Sequence, residues 1–427
     1  MTLPAAHPMR LELSEEVHAR PPLPLAGPCR VSCLALLSPP SSRADEWRGL
    51  TELAARYGVS LPEAPGGHCS ADFGAFRLKW ERHTEFSRYV FVVDGAGSEP
   101  FAQPAISRVP SDWVAGLPGQ MIFASHCEIV TPPSGPPDLD AWSARCFGGH
   151  PLLGSSIGGG VALALTDFKI REDGFGRILV VDQGMNAQQG GRAVQSLLEI
   201  DAYRVLALLA FPLARELSPA LYRNERELSE VANVLVQADV DSEPVLLDRL
   251  TRLQAEIERH EADNHYRFGA AVAYYEIVQR RIAQLREERL PPLQTFLEFT
   301  ERRLAPAMNT CAAVSARLES LSQRVMRATQ LLSTRIEITR ERQNQQLLAQ
   351  MNRRAEMQLR LQGTVEGLSV AAVTYYVVGL VNYVAKGLPQ SLGVDPGVLT
   401  AIAIPVVALL VYLGVRRVRH MVARASR

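Results

Sequence analysis

The chain is short of lysine, of net charge and of cysteine motifs, and each shortage excludes something. Of its 45 basic residues only Lys79, Lys169 and Lys386 are lysines, a bias that codon usage accounts for. Acidic residues also number 45, so the 427-residue chain carries no formal charge and no bulk field drawing it to nucleic acid. The six cysteines, at 29, 33, 69, 127, 146 and 311, form no CxxC pair and no zinc spacing. They fit a reducing, cytoplasmic environment, with Cys29 and Cys33 on one strand face as small buried hydrophobes. The opening "MTLPAAHPMRLELSEEVHARPPLPL" has charges and prolines where a signal peptide needs an apolar core, so no export signal is expected. No nucleophile-elbow motif or catalytic pair of carboxylates is visible either.

What is present is a pair of long apolar runs near the C-terminus. They span about Leu368 to Lys386 and Gly397 to Val415, each at the short end of the length that crosses a bilayer. The link "GLPQSLGVDPG" is rich in turn formers. Arg353, Arg354 and Arg360 precede the first run; Arg416, Arg417, Arg419, Arg424 and Arg427 follow the second. The positive-inside rule then predicts a two-helix transmembrane hairpin over 365–415 and a basic tail over 416–427, with both termini cytoplasmic. Gly363, Gly367 and Gly379 would let helices approach closely, which favours a homo-oligomer.

Upstream, residues 188–305 show apolar residues at three- and four-residue spacing, with breaks expected at Pro212 and Pro219. A long helix is expected to open at Ser242 with Pro244 in its first turn. No proline lies between Pro306 and Pro389, which permits one rod of about 80 residues. Its stalk, 306–364, carries a seam of Leu304, Met308, Cys311, Ser315, Leu318, Ser322, Val325, Thr329, Leu332 and Ile336. Past Thr339 that seam turns polar, through Gln343, Gln346, Gln350 and Arg353.

Residues 1–187 differ in character, with Pro/Gly-rich loops and short β-branched runs. Two passages run in parallel: "CRVSCLALL" to "SRYVFVVDGAG", and "QMIFASHCEIV" to "GRILVVDQGM". Each reads strand, Trp-bearing helix, strand, turn, strand, which predicts a duplicated β-α-β-β unit in an α+β domain with helices on one face of the sheet. Within it, "AFRLKWERHTEF" alternates so that Phe76, Leu78 and Trp80 face one way and Arg77, Lys79, Glu81, His83 and Glu85 the other. Glu81, His83 and Glu85 would suit a ligand or metal site; a solvated face with cross-strand ion pairs is the favoured reading. His18 and Arg20 in "EVHARPP" would complete an anion pocket if the tail lay on the sheet. "GSSIGGG", Gly154 to Gly160, lacks the Lys-Ser/Thr of a phosphate loop and reads as a Gly-rich entry to a strand.

The stretches "HARPP", "WERHTEF", "GGRAVQSLLEIDAYRVLALLAFPLAR" and "QLRLQGTVEGLSVAAVTYYVVGLVNY" resemble a bacterial domain-of-unknown-function family of membrane-anchored proteins. That resemblance implies an inner-membrane location and supplies no activity or cofactor. The order of an α/β domain, a stalk helix and two terminal spans also looks like that of CorA-type channels, by fold-level analogy alone. The "GMN" of that family stands here at Gly184 to Asn186, far upstream of the first span, where "GLVNYV" is found instead. Three functions follow in order of expectation. The first is a non-enzymatic membrane protein whose α+β domain binds a small ligand or partner. The second is a homo-oligomeric cation channel lined by Ser369, Thr374 and Asn382. The last is an enzyme at the membrane face acting through Glu81, His83 and His18.

Overall fold

The computed structural model describes residues 6–10, 14, 21–62, 66–132, 135, 138–237, 242–387 and 396–425. They form two compact units: Met1–Gln237 with Asp248–Thr329, and Ala238–Leu247 with Gln330–Arg427.

The first unit is built on one sheet. Its strands are β1 (Cys29–Leu37), β2 (His68–Asp72), β3 (Arg77–Arg82), β4 (Phe86–Asp94), β5 (Gln120–Val130), β6 (Leu153–Ile157), β7 (Ala162–Thr166), β8 (Gly176–Asp182) and β9 (Glu288–Arg289). They lie in the order β2-β3-β4-β1-β5-β8-β7-β6-β9. β1 lies between β4 and β5, and every one of its residues before Leu37 is buried, the polar Arg30 and Ser32 included.

One face carries α1 (Arg43–Tyr57) and α2 (Ser111–Ala115) over an aromatic core of Trp80, Tyr89, Phe91 and Trp113. Farther along the same face, α3 (Leu139–Phe147) packs Phe147 against Leu163, Leu165 and Leu179. The opposite face receives α4 (Ala187–Leu208), whose Gly190 lies against Ile129 of β5. Helices therefore cover both faces, where the sequence reading put them on one. That reading had no account of α4 as a sheet-packing element.

The expected β-α-β-β unit recurs with one more strand in each copy, β2 before β3 and β6 before β7. The copies also close differently, since β4 runs antiparallel to β1 whereas β8 runs parallel to β5. "GSSIGGG" becomes β6 and its turn: Gly158, Gly159 and Gly160 all have positive φ (68°, 77°, 86°), which only glycine adopts without strain. "GMN" ends in the N-cap of α4. Asn186 Oδ1 accepts from Gln189 N at 2.9 Å, and Gln189 Oε1 accepts from Asn186 N at 2.9 Å.

Residues 21–26 pass between the sheet and α4. Leu25 N donates to Ala187 O at 2.9 Å, and Lys79 Nζ to Pro21 O at 2.7 Å. The crossing is tight enough that a Cβ on Gly190 would stand 2.3 Å from Leu25 O, and one on Gly191 2.1 Å from Leu23 O.

The helical part of this unit continues with α5 (Ala210–Gln237), α6 (Glu243–Leu285), α7 (Phe296–Arg303) and the start of α8 (Ala305–Lys386). The expected breaks at Pro212 and Pro219 do not occur; the chain breaks at Leu209 instead. Pro212 occupies the first turn, where its missing N–H has no helical partner anyway. Pro219 is carried inside α5 because its neighbours Leu217, Ala220 and Leu221 are buried. The seam of α8 also shifts. Val314 and Leu321 are buried in place of Ser315 and Ser322, joining Met308, Cys311, Leu318 and Val325. A straight helix repeats at 3.6 residues, so the adjacent apolar side chain takes the inward position.

In the second unit α8 continues to Lys386 and is followed by α9 (Pro396–Ala425); the link 388–395 lies outside the described residues. Both helices are long and apolar enough to cross a membrane, with mean hydropathy reaching 1.5 within Ala305–Val384 and 1.9 over Thr400–Val418. Neither apolar window is buried.

Candidate functional site

Strand alternation carries Lys79 and Glu81 to the face that α4 covers, and cross-strand pairing sets Glu81 opposite Arg88. The expected solvated face is therefore overturned: Lys79, Glu81 and Arg88 are 5%, 1% and 5% exposed. The ion pairs themselves are present. Lys79 Nζ lies 2.9 Å from Glu81 Oε1, and Arg88 Nε donates to Glu81 Oε2 at 2.9 Å, joined by its Nη2. Arg88 Nη1 donates to Glu199 Oε1 of α4 at 3.0 Å, and Arg281 of α6 donates through Nε to Glu199 Oε2. Burial works against the Glu81 carboxylate, yet Arg88 and Lys79 outweigh it and hold the group at about 2. Glu199 is likewise lowered against its burial by Arg88 and Arg281.

His83 and Glu85 go elsewhere. The His83 ring stacks on Phe86 at 4.3 Å and meets the edge of Tyr203. Glu85 accepts two bonds from Arg267, at 3.0 and 2.7 Å, and one from the Tyr274 hydroxyl at 2.5 Å, so it fastens the sheet to α6. Burial, then that carboxylate, raises the Tyr274 hydroxyl. Glu81 is thus bound into the ion-pair network under α4, while Glu85 is engaged by Arg267 and Tyr274 of α6. His18 and Arg20 lie outside the described residues. Among the described residues no group of three His, Cys, Asp or Glu side chains is placed to hold a metal ion.

Of the residues nominated for a pore, Ser369 and Thr374 donate to their own helix, to Val365 O at 2.8 Å and Val370 O at 2.7 Å. Thr374 and Asn382 share a groove of about 560 Å³ with Thr400 of α9.

A second polar pair lies inside the sheet domain. Ser32 Oγ is 2.9 Å from His126 Nδ1, but both residues are sealed, and the imidazole stacks on Phe175. Burial pushes His126 down to about 4, so the folded protein keeps it neutral where the unfolded chain protonates it near 6.5. The unfolded state then binds the extra proton between these values, and stability falls as pH drops from 6.5 to 4. Glu128, pushed up to about 7 by burial, acts in the opposite sense between 4.5 and 7, so a difference measurement is needed. The stability of the wild type minus that of His126→Gln is expected to rise by roughly 3 kcal/mol from pH 4 to 6.5 and then level off. Urea unfolding across that range checks it, and a flat difference would contradict the buried neutral imidazole.

A further opening in the sheet domain is one that the sequence did not suggest. It is a cleft of about 550 Å³ bounded by the β6–β7 turn at Gly158, the first half of α4 and the end of α6. Arg192, Arg281, Arg286, Gln189, Gln284 and Ser196 bring polar groups to it, and among the described residues no Asp or Glu lines it. The turn and the helix end are joined by Gly158 N donating to Leu285 O at 2.8 Å. Arg286 takes φ 47°, an uncommon conformation for a residue with a Cβ. In sequence each of these arginines reads as an ordinary solvated helix position.

A family model described as a protein of unknown function (DUF3422) matches residues 5–422. No curated protein matches the chain.

Proposed function

Because the chain belongs to the DUF3422 family, whose function is unknown, we propose a function from its geometry: an integral protein of the bacterial inner membrane whose α+β domain binds a ligand or partner in the cytoplasm. The apolar stretch of 365–415 is its oligomerising anchor. One observation carries this reading. Leu368, Tyr383, Leu380, Leu409 and Leu410 all stand exposed on α8 and α9. Left in water, each large apolar side chain forgoes about 1.5–3 kcal/mol of burial, which lipid would supply. The flanking arginines set both termini inside. The sealed thiols argue against cysteine-based nucleophilic chemistry in this domain. Burial raises Cys29 and Cys33 to about 12 and Cys146 to about 11, and it raises the other three as well. None would be a thiolate nucleophile at neutral pH.

Extraction of bacterial membranes with alkaline carbonate tests the anchor. The full chain is expected to stay in the pellet and a chain ending at residue 364 to be released. Release of the full chain would overturn the assignment.

A second reading rests on Thr374, Asn382 and Thr400 sharing one groove: a homo-oligomeric cation channel. Absence of cation flux in liposomes holding the assembled oligomer removes it.

A further inference from the structure

We propose that the cleft between the β6–β7 turn, α4 and the end of α6 binds a phosphoryl-bearing anion. This rests on the reading that the α+β domain receives a ligand, and it names that ligand's class. Three guanidinium groups line the cleft, from α4, from α6 and from the residue that ends α6, and among the described residues no carboxylate lines it beside them. Arg192 and Arg286 form no ion pair among the described residues, whereas nearly every neighbouring carboxylate is already engaged. Glu199 is held by Arg88 and Arg281. Glu287 accepts from Phe296 N and Leu297 N, both at 2.9 Å, and from Ser155 Oγ at 3.0 Å. Asp182 accepts from Gly184 N at 2.9 Å and Met185 N at 2.8 Å. Among the described residues, Arg192 and Arg286 are thus left without a countercharge, while Arg281 is balanced by Glu199.

Shape and chemistry then select the class. About 550 Å³ lies within the range of small-molecule sites, roughly 300–1,000 Å³. A planar guanidinium fork donates two parallel bonds to phosphoryl or carboxylate oxygens. Guanidinium groups carried on separate elements suit a centre with three terminal oxygens better than a single flat carboxylate. Gln189, Gln284 and Ser196 supply neutral hydrogen bonds for an uncharged polar body. One arginine is pre-set: Arg281 is fixed by Glu199 and donates through Nη1 to Gln284 Oε1 at 2.7 Å. The left-handed backbone of Arg286 falls at the same wall, where conformational strain commonly marks a binding site.

The phosphoryl group would belong either to a soluble phosphate compound or to a lipid headgroup. Calorimetric titration of the purified full chain in a nonionic detergent, with sodium pyrophosphate as the probe, tests the proposal. Saturable binding at one site per chain is expected. The double variant Arg192→Gln, Arg286→Gln should weaken it at least about tenfold, because each lost charged contact is worth roughly 1.5–3 kcal/mol. Both side chains are exposed, so the thermal midpoint of this variant should match the wild type. Displacement of pyrophosphate by soluble dihexanoylphosphatidylglycerol would assign the site to a headgroup; failure to displace would assign it to a soluble phosphate. No saturable binding of pyrophosphate, or equal affinity in the double variant, overturns the phosphoryl assignment. Binding of sodium citrate or maltose in its place would overturn that assignment alone and leave a ligand-binding domain standing.

Discussion

Replacing Arg88 by methionine is expected to cost roughly 3 kcal/mol or more of stability, because it leaves two buried carboxylates short of a partner. Arg88 stands between Glu81 of β3 and Glu199 of α4, and all three are nearly free of solvent contact. The loss should lie near the lower end of the 3–5 kcal/mol seen when one member of a buried pair is removed. Glu81 keeps Lys79 and Glu199 keeps Arg281, so neither carboxylate is stranded completely. The pH dependence gives a sharper test. In the wild type Glu81 is held at about 2, below its unfolded value of 4.5, so its contribution is present above 4.5 and is lost as pH falls toward 2. Without Arg88 its folded value climbs, and the penalty of the variant should be widest at neutral pH and shrink in acid. Thermal unfolding followed by the fluorescence of Trp80 and Trp113 would read it, since both lie in the adjoining aromatic core. A change below about 1 kcal/mol at pH 7 would show that the network does not hold α4 to the sheet. Adding Glu81→Leu, Glu199→Leu and Lys79→Met, which leaves only the part-exposed Arg281 of the network, should recover much of the loss, as apolar replacement of a whole buried network commonly does.

A second large effect is expected at Gly191, where alanine should cost about 3 kcal/mol, the upper end for overpacking. Its Cβ would stand 2.1 Å from Leu23 O, and a backbone carbonyl cannot rotate aside as a side chain does. Helix propensity pulls the other way by only about 1 kcal/mol, so sterics win. Residues 21–26 would have to leave α4, taking with them the bond from Lys79 to Pro21 O. Limited proteolysis should then cut near Leu23 in Gly191→Ala and leave the wild type intact. Pro22 borders the arginine-lined cleft, so pyrophosphate affinity should fall in the same variant. Unchanged proteolysis together with unchanged affinity would mean that the segment is held by something other than this crossing.

Apart from β2 and β6, the long helix and the strand–helix–strand–strand succession of each half were legible in sequence, where one residue pattern decided the structure. The run from Pro306 to Pro389 contains no helix breaker and forms one helix to Lys386. The stretch from Cys29 to Leu36, with its apolar Val31 and Leu34–Leu36, forms a central strand. Legibility failed where a distant element decided. Lys79 and Glu81 alternate with Leu78 and Trp80 as a half-wet strand would, and only the arrival of α4 makes them interior. Pro219 has the local signature of a helix end, but burial of its neighbours overrides it. The candidate site shows the same limit. Glu81 and Glu85 are close in sequence, yet Glu81 is tied to Arg88 and Lys79 in the sheet and Glu85 to Arg267 and Tyr274 of α6. Arg192 and Arg286 are ninety-four positions apart and meet only because the β6–β7 turn bonds to the end of α6.

The outer strands of the sheet have one further consequence. β2 has five residues and β9 has two, and the latter are the charged, exposed Glu288 and Arg289. Little unpaired ladder remains at either border for a neighbouring molecule to extend. Copies crowded together on a flat surface meet far more often than copies diluted in three dimensions, and such borders would keep those encounters from growing into fibrils.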